Sequence, residues 1–132
     1  MGVPVVDDSG LPVVVVTFPP EVTADEYVQL FERYKALCAK YEHIAWLIDF
    51  QQFDPVTAPQ AVRRAASEVF ARYRDVLLQS TVCEARVVQN TASRGILTAF
   101  DWLTGKKWPL GNFATREAAD RWIAERLELD RM

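Results

Sequence analysis

The 132-residue chain carries 15 basic and 18 acidic side chains for a formal charge of -3 at pH 7, with half of its residues hydrophobic and a quarter charged. That size suits one domain able to bury roughly two thirds of its unfolded surface, and the composition excludes a disordered or fibrous chain. Basic residues scattered among acidic ones give no electrostatic footprint for nucleic acid, and no apolar run approaches the ~20 residues of a membrane span.

Val3 to Val6 and Leu11 to Phe18 are β-branched runs separated by the turn sequence Asp7-Asp8-Ser9-Gly10, which predicts a hairpin. Pro4 and Pro12 lack a ladder donor and belong at a strand edge or start. After Pro19-Pro20, Thr23 and Glu26 have the spacing of a capping box, with Val22 and Tyr27 as its staple. Tyr27, Leu30, Phe31, Tyr34, Leu37, Cys38 and Tyr41 then recur at helical spacing and predict one buried face.

His43 to Phe50 is an almost continuous apolar run closed by Asp49, as expected of a strand covered by helices. Its loop runs through Phe53, Asp54 and Pro55 to Thr57-Ala58-Pro59-Gln60, a second capping-box candidate before a helix with Val62, Ala66, Val69, Tyr73, Val76 and Leu77 on one stripe. Thr81 to Gln89 alternates with period two, Cys83, Ala85 and Val87 on one side and Glu84 and Arg86 on the other. That pattern predicts a sheet whose second face is partly wet. A third helix is expected from a cap at Thr91 or Ser93, with an apolar stripe of Ile96, Ala99, Phe100 and Leu103 and Gly105 at its C-terminal end. Trp108 to Phe113 allows a short edge strand, and Thr115 caps a last helix buried through Ala118, Ala119, Trp122, Ile123 and Leu127. The expected order is β-β-α-β-α-β-α-(β)-α. This is an α/β domain over residues 1–132, with a single mixed sheet of four to five strands and helices packed mainly on one face.

These motifs in this order resemble the STAS-like, or SpoIIAA-like, superfamily. The resemblance rests on the hairpin, on Thr23-Ala24-Asp25-Glu26, on Leu47-Ile48-Asp49 closing a central strand, and on Phe113 to Ile123 as a closing strand-helix signature. It implies a non-enzymatic interaction module of bacterial regulation, working by protein contact and sometimes switched by phosphorylation or a small ligand. Phospho-switched members carry Ser or Thr directly after the strand's Asp. Here Asp49 is followed by Phe50-Gln51-Gln52-Phe53, so the switch is not carried over.

The residues themselves give weaker signals. Asp49 and Asp54 flank the loop at a strand end, the usual ligand position in open α/β sheets. With Arg63 they outline an enzyme hypothesis, against which each carboxylate also suits a local turn. His43, the sole histidine, lies ~20 Å away along the strand. Ser93 and Arg94 invite an anion-binding reading that a cap and an exposed Arg explain equally well. Phe50, Phe53, Trp102 and Trp108 have no evident core position and, with Asp49 and Asp54, form the expected contact surface for another protein.

Ala45, Leu47, Glu84 and Arg86 are expected on the sheet's second face, where they suggest a homodimer. No metal site or cofactor is indicated. Cys38 and Cys83 form no C-x-x-C and fit a reducing, cytoplasmic setting. The alternative to protein contact is a pocket for a small apolar or lipid-like ligand between sheet and helices.

Overall fold

The computed structural model describes residues 2–104 and 108–132. Its elements are β1 (Val5–Asp7), β2 (Val13–Thr17), α1 (Ala24–Lys40), β3 (Ile44–Asp49), α2 (Gln60–Ser80), β4 (Thr81–Val87), α3 (Thr91–Thr104), β5 (Leu110–Phe113) and α4 (Arg116–Arg131). The five strands lie in sequence order across one sheet. β1 pairs antiparallel with β2, and every later pairing is parallel. The expected mixed sheet is therefore present, with the edge strand at Leu110–Phe113 realised as β5.

A sheet that grows in one direction through right-handed crossovers receives all its crossover helices on the same side. α1 and α2 pack there against each other and against Val14, Val16, Ile44, Trp46 and Ile48. The second face carries a smaller core, Ala45, Leu47, Cys83, Ala85 and Val87, closed by Ala119 and Ile123 of α4. The period-two strand β4 thus does not border water on its second side. The charged alternates, Glu84 and Arg86, are the ones that point toward the crossover helices, because β4 holds Glu84 beside Trp46 and Arg86 beside Ile48.

Local signals act where the sequence places them in α1 and α4. The Thr23 hydroxyl accepts from Glu26 N–H at 3.2 Å while the Glu26 carboxylate accepts from Thr23 N–H at 2.8 Å, closing the capping box. Thr115 accepts from Ala118 N–H at 3.2 Å and starts α4. Two caps differ from expectation. Pro59 begins α2 with no side-chain cap, since Val62 and Arg63 donate to its carbonyl instead. Asn90, rather than Thr91 or Ser93, caps α3 by accepting from Ser93 N–H at 3.1 Å. Gly105 lies outside the described residues.

α3 departs most from expectation. Of its stripe, Ile96 and Phe100 are half exposed and line the open cavity, Leu103 stands at 87% exposure, and Leu97 packs on the main core. The contrast with α4 is measurable by urea denaturation. Ile123→Ala is expected to lose about 2–5 kcal/mol of stability, whereas Leu103→Ala stays within about 0.5 kcal/mol of the parent.

Candidate functional site

Between α1, α2, α3 and the sheet lies a cavity of about 640 Å³, open on one side. Its size falls within the ~300–1,000 Å³ of small-molecule pockets. The walls are mainly aromatic and aliphatic, drawn from every element on this side of the sheet: Tyr27 and Tyr34 from α1, Phe70 from α2, Trp46 from β3, Leu97 and Phe100 from α3. Helix periodicity places these rings. Tyr27, Phe31 and Tyr34 follow one another along a face of α1, and Tyr34 meets Trp46 with ring centroids 4.6 Å apart.

The floor is charged. Arg86 donates from Nε to Glu84 Oε2 at 2.9 Å and from Nη1 to Asp101 Oδ2 at 3.1 Å, and all three side chains are largely withdrawn from water. Burial works against the guanidinium's charge, but the two carboxylates outweigh it and hold Arg86 above its ordinary value. Trp108 Nε1 donates to Glu84 Oε1 at 3.2 Å, and Asn112 Nδ2 donates to Asp101 at 3.3 Å. One ionic cluster therefore ties β4, α3 and β5 together beneath the cavity.

No protein-family model matches the chain, and no curated protein matches it. Among solved structures, an uncharacterised protein of the DUF3478 family from Shewanella loihica PV-4, described as having a SpoIIAA-like fold, superposes with a TM-score of 0.68. The match covers 91% of each chain at 14% identity. The chain has the SpoIIAA-like fold. A protein of unknown function from Arthrobacter sp. FB24 aligns at 20% identity over 91% of this chain and 98% of its own, but its TM-score of 0.29 carries no structural argument.

Within this SpoIIAA-like fold the expected contact surface is redistributed. Phe50 and Phe53 are buried, packed on Phe18 at centroid distances of 4.7 and 5.2 Å. Trp108 is buried against Phe70. Three of the four candidate aromatics thus belong to the core: the loop after β3 turns Phe50 and Phe53 onto Phe18, and Trp108, just before β5, packs on Phe70. Trp102 alone stands in solvent, at 84% exposure. Asp49 accepts from Gln51 N–H at 2.9 Å, a turn of its own, while Asp54 accepts from Val56 N–H at 2.9 Å and from the Ser93 hydroxyl at 3.1 Å. Among the described residues no ion pair joins either carboxylate to Arg63, which lies on the cavity lining.

The anion-binding reading is corrected in the same way. Ser93 is buried against a carboxylate, and Arg94 spends its guanidinium on the carbonyls of Val88 and Gln89 at 2.6 and 2.7 Å and on Thr91. The proposed dimer face is corrected too. Ala45 and Leu47 are fully covered by α4, and Glu84 and Arg86 lie on the opposite side of the sheet. His43 joins the C-terminal end of α4 through a 3.3 Å contact of Nδ1 with Asp130. Both cysteines are free thiols, and among the described residues no group of three or more His, Cys, Asp and Glu is placed to hold a metal ion. No helix among the described residues is long and apolar enough to cross a membrane.

Sequence reasoning missed the floor. Opposite charges at i and i+2 of a strand share a face, which was the available signal, but an alternating charged pair ordinarily marks a wet surface.

Two measurements check this site. Arg86→Met leaves two carboxylates without their cation, so it is expected to cost about 3–5 kcal/mol in chemical denaturation, with part recovered in the Glu84→Gln/Arg86→Met double variant. Burial raises the Tyr27 and Tyr34 phenols well above their ordinary value of 10.0; at Tyr34 Glu84 reinforces the rise, whereas at Tyr27 Arg86 opposes it more than Glu84 adds to it. Stability tied to keeping them neutral is present below that ordinary value and lost as pH rises through the folded-state range. In a tyrosinate absorbance titration the two phenols are expected to ionise only together with alkaline unfolding. The Tyr27→Phe/Tyr34→Phe variant should lack that late amplitude.

Proposed function

We propose that the protein is a non-enzymatic regulatory domain that binds a small apolar or lipid-like ligand in the cavity between α1, α2, α3 and the sheet. The observation that carries this reading is the cavity itself: about 640 Å³ of space walled by aromatic and aliphatic side chains, with a few polar groups at its base. Well-packed cores hold few voids larger than a water molecule, and a partly open apolar cavity with convergent polar groups is the default form of a binding site. The local hydrogen bonds of Asp49 and Asp54 speak against a catalytic pair, because each carboxylate is already occupied by its own turn or by Ser93.

Binding is tested with the neutral fluorophore N-phenyl-1-naphthylamine, whose emission rises on entering an apolar site. Saturable enhancement at micromolar protein is expected, and Ala66→Trp, which places an indole on the cavity lining, should abolish it. Absence of saturable enhancement with the parent protein would count against a ligand site.

A second reading, contact with another protein, draws support from Trp102 and Leu103, which stand at 84% and 87% exposure at the end of α3. Large apolar side chains grouped on one surface mark contact sites more often than single ones do. A proximity-labelling comparison in the native host of parent and Trp102→Ser/Leu103→Ser protein checks it. Loss of a specific neighbour in the variant is the expected outcome, and identical neighbour sets would remove the reading.

A further inference from the structure

Given the ligand-binding reading above, on which this inference rests, the charged groups on the cavity lining narrow what it can hold. Among the described residues those groups are Arg63, Arg74, Arg86 and Glu84. They fall at two depths. Arg86 is withdrawn from water at the floor, where Glu84 and Asp101 already balance it. Arg63 and Arg74 line the cavity from exposed positions of α2, so they stand where it opens. Ala66, Ser67, Phe70 and Ala71 fill the same helical face between them. The part of the lining that α3 supplies is apolar, through Ile96, Leu97 and Phe100. The mouth is therefore cationic on its α2 side and apolar on its α3 side.

The two arginines at the mouth differ. Arg74 has a carboxylate beside it, with Nε 3.7 Å from Asp75 Oδ1. Among the described residues no ion pair engages Arg63. The two lie three turns apart, about 16 Å along the helix axis, so one compact head group meets one of them. Ser67, a turn beyond Arg63 on the same face, adds a hydroxyl there.

The sign of the head group follows. An anion drawn down to the floor would meet Glu84 and Asp101 in a medium of low polarity, where uncompensated charge is strongly disfavoured. At the mouth the same anion meets a free guanidinium whose planar fork matches a carboxylate. A cationic head would meet Arg63 and Arg74 as like charges.

We propose that the cavity takes a single-chain amphiphile with a carboxylate head, a fatty-acid-like anion seated head outward. The carboxylate lies on the Arg63 guanidinium with the Ser67 hydroxyl as a second donor, and the chain runs inward against Phe70, Leu97 and Tyr34. Arg63 selects the head, and the aromatic and aliphatic walls supply the affinity.

Titration calorimetry at neutral pH with three probes of equal chain length, decanoate, decan-1-ol and decylammonium, tests this. Partition into an apolar site alone would favour the neutral alcohol over either ion. Decanoate is instead expected to bind about threefold to tenfold more tightly than decanol, the range of one net charge-assisted contact at a partly open site, and decylammonium most weakly. Arg63→Gln should bring decanoate down to decanol's affinity or below while leaving decanol unchanged, and Arg63→Lys should keep decanoate ahead. Arg74→Gln should change decanoate binding less than twofold. Raised salt should erode the preference for decanoate without touching decanol. Decanol or decylammonium binding as tightly as decanoate, or a preference that survives Arg63→Gln, would overturn the head-group inference with the cavity reading intact. Failure of all three probes to bind would overturn the cavity reading itself, and this inference with it.

Discussion

Strand β4 alternates, and one of its two faces must carry Glu84 and Arg86. The sheet directs that pair inward, toward the crossover helices, where a lone guanidinium or carboxylate would be untenable. The pairing of Arg86 with Glu84 along the strand and with Asp101 across to α3 is therefore the condition on which this side of the protein is built. Asp101 can reach Arg86 only if α3 crosses above β4. Asn112 can reach Asp101 only if β5 lies beside β4, and Trp108 caps Glu84 on the way into that strand. A cluster of this kind adds little stability over a hydrophobic substitute, yet it fixes one arrangement among several that apolar packing would allow.

The same constraint explains why a cavity persists. Apolar side chains from α2 and α3 would ordinarily close over the sheet, but the floor presents charge and the wall presents two phenols, so collapse would bury hydroxyls against hydrocarbon. α3 is held at its start by Asn90, Ser93 and Arg94 and along its length by Asp101 and Thr98, all through polar contacts. Its apolar side chains are left largely outside the core.

Much of the architecture was legible because it depends on local chemistry. Thr23 with Glu26 and Thr115 with Ala118 mark helix starts through their own hydrogen bonds, and the apolar run of β3 needs covering on both sides whatever lies around it. The SpoIIAA-like order follows from those pieces. What could not be read was which face each strand shares with its neighbour. Ala45 and Leu47 were matched with Glu84 and Arg86, but the register sets them beside Cys83 and Ala85, after a shift between Ile44 and Ala45. Side-chain parity is visible within a strand, while parity between strands depends on register. Phe50 and Phe53 failed for a related reason: an aromatic in a loop has no period to reveal its direction, and here Phe18 lies where both can reach it. The stripe of α3 misled in the opposite sense, since helical spacing of Ile96, Phe100 and Leu103 shows a common face without showing that anything covers it.

α4 differs from the other described helices in being no crossover, and among the described residues it is the helix that seals the face formed by Ala45, Leu47, Cys83, Ala85 and Val87. It also follows all of those residues in the chain. During synthesis the sheet can gather α1 and α2 on one side while the other stays bare, since the segment that shields it has yet to leave the ribosome. Until α4 has been made and has docked, that face stays bare, an apolar surface free to meet other chains.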